Sequence, residues 1–402
     1  MRRVRKSAAA AVIGFVAVAS MLVQASPVTA QAPQIPVRYP LTELTPPSGH
    51  PAQTQFGAGL AISGTTLAVG APGRTPGTGR VYIYQEQVSG QWSTAAVLTD
   101  PQPRLADSFG YTVGLSPSGL VVSAPANGTT SNSRVYFYAR ASGGWKLVDQ
   151  VALQSLDVAV SGPTVVLGQA SERGAVQVYQ RGPAGDWTRT ATLFDPSGQR
   201  YDGFPGQMAI SGGTIAAAAL GGPAMQGHVY TYGKTSSGWS YQASIGDPTP
   251  HISDDFGIFL GLDDGTLATC DFPSYSIFVT AQCYVYQLAG GRWILTSTLS
   301  APHQLLGGGI AVSGGTVVAA STSPVFVYAQ GSRWQPVGEF EGKGATAGTT
   351  FGEPIAISGG IVAAGAFNSN GQTGHVYIFS LHQLSSDTKS STGEPAKTGY
   401  GP

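Results

Sequence analysis

Six of the chain's 14 aspartates, Asp247, Asp254, Asp255, Asp263, Asp264 and Asp271, fall within 25 residues. Gathered carboxylates are what sugar hydrolysis uses as acid and as base or nucleophile, and what a hard cation uses as ligands. The local pattern argues against a catalytic pair. Asp263-Asp264-Gly265 reads as a tight turn after a strand, and Asp254-Asp255 as the connection leading into that strand. A strand length separates the two, so solvated turn aspartates are the expected reading. The six histidines, at 50, 228, 251, 303, 375 and 382, show no metal-ligand spacing. His228 and His375 each precede Val-Tyr, where other copies of the pattern below carry Arg80 and Arg134, which suits a structural or surface role. Neither a nucleophile elbow nor a phosphate loop is present, since the glycine runs are not followed by helical patterns. No enzyme is expected.

The elements that hold these residues repeat. Small-residue turns recur at Ser63-Gly64, Ser116-Pro117, Ser161-Gly162, Ser211-Gly212, Asp263-Asp264, Ser313-Gly314 and Ser358-Gly359. Each is followed by an aromatic strand such as Val81-Tyr82-Ile83-Tyr84, and in six copies by a tryptophan, which together use all six tryptophans. Seven copies of about 50 residues, each reading as four short strands (a to d), predict an all-β fold, a seven-bladed β-propeller of four-stranded blades. Strands a and b are rich in Gly, Ala and Ser, and c and d in Tyr, Phe and Trp, as blades converging on an axis require. Ala216–Ala219 has helical propensity, yet its place in the repeat makes it strand b of blade four. The seventh copy lacks a tryptophan strand. Tyr39–Pro46 resembles the missing strand and is expected to complete the last blade and close the ring, the alternative being a last blade of three strands.

Residues 1–30 read as a secretory signal peptide: basic Arg2, Arg3, Arg5 and Lys6, an apolar run from Ala8 to Val23, and small residues before Gln31. The propeller is expected over 39–384, after a linker at 31–38 and before a disordered tail at 385–402. The chain is therefore read as secreted, with no membrane segment after cleavage. It has 21 basic and 21 acidic residues, with only 10% charged. Without a basic stripe, nucleic acid is excluded as a partner. The two cysteines, Cys270 and Cys283, align with the residues flanking the b–c loop of blade five. That places them within disulfide reach, and an exported chain would oxidise them.

Phe56-Gly57 with Gly70-Ala71-Pro72 resembles the FG-GAP repeat of integrin α-subunit heads and exported bacterial proteins. Phe109-Gly110 with Ser123-Ala124-Pro125, Phe256-Gly257, and Phe351-Gly352 with Gly365-Ala366-Phe367 repeat it. Leu156 and Leu305-Leu306 depart from it, which marks blades three and six as scaffold. The acidic residue that precedes the motif in bacterial members stands here as Asp107, Asp202 and Asp254. The resemblance implies an extracellular propeller used for adhesion or ligand recognition. It also implies calcium in a long acidic a–b loop, but Ser63-Gly64-Thr65-Thr66 is too short and too poor in carboxylates. No cofactor is expected, and calcium is not favoured.

The d–a and b–c loops share one rim. By position it carries Arg74, Arg104, Asp107, Tyr201, Asp202, His251, Asp254, Asp255, Phe272, Tyr275 and His303, a mixture suited to sugar or peptide recognition. Tyr201-Asp202 and Phe272–Tyr275 are the foremost candidates. The expected partner is an extracellular glycan or protein, bound by a monomer. A structural envelope or matrix protein is the second reading, and a hydrolase or lyase with a central-channel site the third.

Overall fold

Seven sheets, each built on four antiparallel strands ordered a-b-c-d from the axis outward, make up the computed structural model. It describes residues 37–38, 41–48, 53–73, 79–103, 108–126, 133–169, 171–221, 226–251, 254–272, 281–301, 306–321, 324–331, 333–342 and 351–381. The expected signal peptide and tail lie outside these residues. Blade one shows the pattern, with a at Gly59–Ser63, b at Thr66–Ala71, c at Arg80–Glu86 and d at Trp92–Thr99. Blades two to six span 113–151, 158–193, 208–246, 259–299 and 306–340. Blade seven runs from 355 to 380 and takes its outer strand from Thr42–Leu44. Thr214–Ala219 is a strand, so the repeat context overrides alanine's helical preference.

The ring closes as the sequence indicates. Thr42–Leu44 pairs antiparallel with His375–Ser380, and Nδ1 of His375 lies 2.5 Å from Oε1 of Glu43 across that seam. Strand a of blade seven packs against strand a of blade one. One feature was not expected: Val37–Arg38, within the stretch read as linker, runs parallel to Gly338–Glu339 and gives blade six a fifth strand.

The core sits between blades, where one blade's b and c strands meet the next blade's a and b. Phe56, Phe109 and Phe256 are fully buried, and Phe204 and Phe351 nearly so. Each packs against the first tyrosine of its own strand c, at ring-centroid distances of 5.5 Å (Phe56–Tyr82), 5.6 Å (Phe109–Tyr136), 6.1 Å (Phe204–Tyr230), 5.9 Å (Phe256–Tyr284) and 5.4 Å (Phe351–Tyr377). Such aromatic pairs add about 1 kcal/mol each beyond area burial. The glycine after the phenylalanine donates its N–H to the end of strand b: Gly57 to Gly70 O, Gly110 to Ser123 O, Gly257 to Cys270 O and Gly352 to Gly365 O. The two halves of the repeat signature are thus the two ends of one hydrogen bond.

Candidate functional site

Strand a of every blade begins at the d–a linker and ends in a two-residue turn, so linkers and b–c loops share one rim and a–b turns the other. The linkers carry a pattern that sequence reasoning missed, Asp-Pro followed seven residues after the first aspartate by a second, then Phe two residues on: 100–109, 195–204 and 247–256. The first aspartate closes an Asx turn by accepting an N–H two residues later, from Gln102 (2.7 Å), Ser197 (2.8 Å) and Thr249 (2.7 Å). It also receives the strand c tyrosine of the next blade, Tyr136 to Asp100 at 2.6 Å and Tyr284 to Asp247 at 3.3 Å. The spacing is visible in the chain as Asp100-Pro101, Asp195-Pro196 and Asp247-Pro248.

The second aspartate corrects an expectation. Asp202 and Asp254 were placed on the ligand-facing rim, but their exposures are 4% and 0%. The Asp202 carboxylate accepts the Phe204 N–H (3.1 Å), and its carbonyl accepts that of Gly221 (2.5 Å). Asp254 accepts the His251 N–H and lies 3.5 Å from its Nδ1, while its carbonyl accepts the Phe272 N–H at 2.5 Å. They point inward because the linker backbone needs acceptors at the point where it turns into strand a.

Burial shifts the titration of Asp202, Asp247 and Asp271. Desolvation, with Asp247 and Asp254 nearby, pushes Asp271 up to about 6, and Asp247 is raised as well, chiefly by burial. Tyr284 gathers this cluster, with its hydroxyl 3.1 Å from Asp271 Oδ2 and 2.9 Å from Thr249 Oγ1. Burial first, and then the facing Asp195, push Asp202 up to about 6.

Aromatic side chains of this rim reach solvent among exposed polar residues. Tyr201 is 75% exposed, and Phe194 and Phe272 are also exposed, as is His251. The Tyr201 N–H donates to Glu172 O (2.7 Å) in the b–c loop of blade three, and Arg200 pairs with the Glu172 carboxylate at 3.0 Å. Asp255 is half-buried. Arg74, Arg104, Asp107, Tyr275 and His303 lie outside the described residues.

At the axis the same rim opens into a cavity of about 480 Å³, lined among others by Tyr111, Leu156, Asp157, Gln207, Phe259 and Glu353. Burial pushes Asp157 up to about 6 against two N–H donors, Val158 (2.9 Å) and Met208 (2.5 Å), and burial also raises Glu353. Asp157 thereby ties blade three to blade four.

The a–b turns do not fit the calcium that integrin-type loops imply. Each joins two strands through two residues, and Asp263, the one carboxylate at a strand a terminus, accepts Ser211 Oγ (3.2 Å) and Gly314 N (2.9 Å) instead. Among the described residues, no three His, Cys, Asp or Glu side chains are placed to hold a metal, and no helix is long and apolar enough to cross a membrane. In blade five, Cys270 and Cys283 face each other across strands b and c and are joined as a disulfide.

Residues 42–84 match the FG-GAP repeat family. A search of curated proteins returned no match. Among solved structures, the chain is similar to the computationally designed Ika8 protein (13% identity, 82% of this chain and 97% of that one, TM-score 0.49). It is also similar to Saccharomyces cerevisiae Sqt1 (11%, 86% and 99%, TM-score 0.48) and to BamB from Moraxella catarrhalis (12%, 81% and 85%, TM-score 0.44). At these scores they bear on neither function nor site. The repeat matched over residues 42–84 is echoed in residue and hydrogen bond around Phe109, Phe256 and Phe351, in a chain folded as a seven-bladed β-propeller.

Proposed function

We propose that this propeller is a non-catalytic extracellular binding or adhesion module that recognises a glycan or protein through the d–a/b–c rim. The observation that carries this reading is the axial cavity of about 480 Å³, at the rim where Tyr201, Phe194 and Phe272 are exposed. A concave mouth that combines apolar walls with polar groups suits ligand binding, and exposed aromatic rings stack on sugars or fill pockets of a partner. The carboxylates argue against catalysis, because Asp157, Asp202 and Asp254 accept backbone N–H groups that the fold needs. The disulfide is compatible with an oxidising, extracellular setting.

Binding of residues 31–402 to arrays of polysaccharides and extracellular matrix proteins, with and without a calcium chelator, tests this reading. Saturable binding that survives the chelator and is lost in Tyr201→Ala or Tyr111→Ala is the expected result. Binding abolished by the chelator would overturn the metal-free reading, and no binding to any array member would favour a structural role.

A further inference from the structure

In blades three, four, five and seven, strand a ends on a side chain that accepts an N–H from the next blade's turn, as Ser161 Oγ does from Gly212 at 3.1 Å. Between blades one and two that contact is missing, because the facing position is Pro117, which has no N–H. Ser63, at the end of strand a in blade one, makes no side-chain hydrogen bond among the described residues. The place of the contact is taken by a cavity of about 280 Å³, walled by the Ser63–Thr66 turn, Pro117, Arg140 and Trp145. It opens on the rim of the a–b turns, opposite the rim that carries Tyr201.

This gap is rich in donors and poor in acceptors. Arg140 is the charged residue of its lining, and among the described residues no carboxylate pairs with it. Its Nη2 reaches back to blade one, 3.0 Å from Gln85 Oε1 and 3.5 Å from Thr66 Oγ1, while Nε and Nη1 have no hydrogen-bond partner among the described residues. The guanidinium carbon lies 5.7 Å from the centre of the Trp145 ring, a cation–π contact. Gln85 has no acceptor to spare. Its Oε1 also accepts the Thr66 hydroxyl (3.0 Å), and its Nε2 donates to Thr65 O and Oγ1 (2.7 Å each). Thr65 Oγ1, an acceptor in that bond, keeps its own proton to donate. What the walls leave unused is a set of N–H and O–H groups around one positive charge.

We infer that this gap is a second binding site, for a carboxylate-bearing sugar: a uronic acid residue of an acidic polysaccharide. A carboxylate accepts two parallel N–H bonds from a guanidinium fork, a match that a point charge does not offer. The Gln85 and Trp145 contacts hold the fork in place before a ligand arrives, so less side-chain freedom is lost on binding. Sugar hydroxyls both donate and accept, which suits Ser63 and Thr65. Trp145, half-buried, offers an apolar wall to the C–H face of the ring. An acidic side chain of a peptide would satisfy Arg140 and leave Ser63 and Thr65 without partners. The site uses neither Tyr201 nor the axial cavity, so it stands apart from the recognition rim described above.

Calorimetric titration of the full chain with a galacturonic acid trimer tests this, with a neutral galactose trimer and a glutamate tripeptide as comparisons. Saturable binding of the uronate trimer alone is the expected result. Arg140→Lys is expected to weaken it about tenfold, because a point charge replaces the planar fork. Ser63→Ala is expected to weaken it about fivefold, the worth of one neutral hydrogen bond. Absence of saturable binding overturns the site, and so does an unchanged affinity in either variant. Equal binding of the neutral trimer or of the tripeptide overturns the assignment to an acidic sugar. Should one variant not fold, the other decides alone. Failure here leaves the recognition rim untouched, and loss of array binding in Tyr201→Ala leaves this site untouched.

Discussion

Oδ2 of Asp263, at the end of strand a in blade five, accepts the N–H of Gly314 in the turn of blade six at 2.9 Å. The same rung joins Ser161 Oγ to Gly212 N, Ser211 Oγ to Asp264 N and Ser358 Oγ to Gly64 N, each at 3.1 Å. Between blades one and two it cannot form, because Pro117 offers no N–H. The position needs a side-chain acceptor, which Ser and Asp both provide. Asp263→Ser is expected to keep wild-type stability, and Asp263→Ala to lose about 1 kcal/mol, read as a shift in urea midpoint at constant slope.

Gly227 sits at φ +71°, against the backbone of Phe256 in the next blade. A methyl group there would overlap the Phe256 carbonyl, and Gly174 and Gly374 stand in the same relation to Phe204 and Phe56. The next blade's motif thus seats on a glycine. Gly227→Ala combines a steric clash with a left-handed backbone, and is expected to cost about 3 kcal/mol. Gly143→Ala, where nothing lies within 4 Å of the added methyl, is the control, expected within about 0.5 kcal/mol. Thermal unfolding of both variants would distinguish them.

The Cys270–Cys283 bridge closes a loop with a sequence separation of 13. By the chain-entropy relation, removing it costs about 3 kcal/mol. The double variant Cys270→Ser/Cys283→Ser is expected to show that loss, and reduction of the wild type to reproduce it. An unchanged denaturant midpoint would contradict the expectation.

Asp157, Asp202 and Asp271 are each pushed up to about 6 by burial, against about 3.9 for an unfolded aspartate. A raised folded pKa means the folded state holds protons the unfolded state has released. Its stabilisation is therefore complete below about pH 4 and lost as pH rises through about 6. Asp195, held low, acts in the opposite sense, but only in more acidic solution. The urea midpoint is expected to be higher at pH 5 than at pH 7.5. Asp271→Asn, whose amide oxygen can still accept the Gln282 N–H, should remove about 1 kcal/mol of that difference. A midpoint that rises toward pH 7.5 would refute the sign.

The blade count, the strand assignments and the closing strand were legible in the chain, because each rests on a period. Phe204 was legible too, once Gly203-Phe204-Pro205 is seen to place proline where other copies have glycine. Its 6.1 Å contact with Tyr230 shows the motif surviving that change. Val37–Arg38 was not legible, since two residues show no alternation and their pairing partner lies 301 residues away (338 minus 37).

The sequence by itself determined the architecture and the disulfide. Turn residues, strand alternation and the cysteine register are local or periodic properties, and seven copies overrule any one ambiguous segment. Only the tertiary structure decided which rim residues face a ligand. Tyr201 and Asp202 are neighbours in an irregular linker, yet one is 75% exposed and the other 4%. No period governs side-chain direction there. It follows from where the linker backbone needs an acceptor as it turns into strand a, which for Asp202 is the Phe204 N–H.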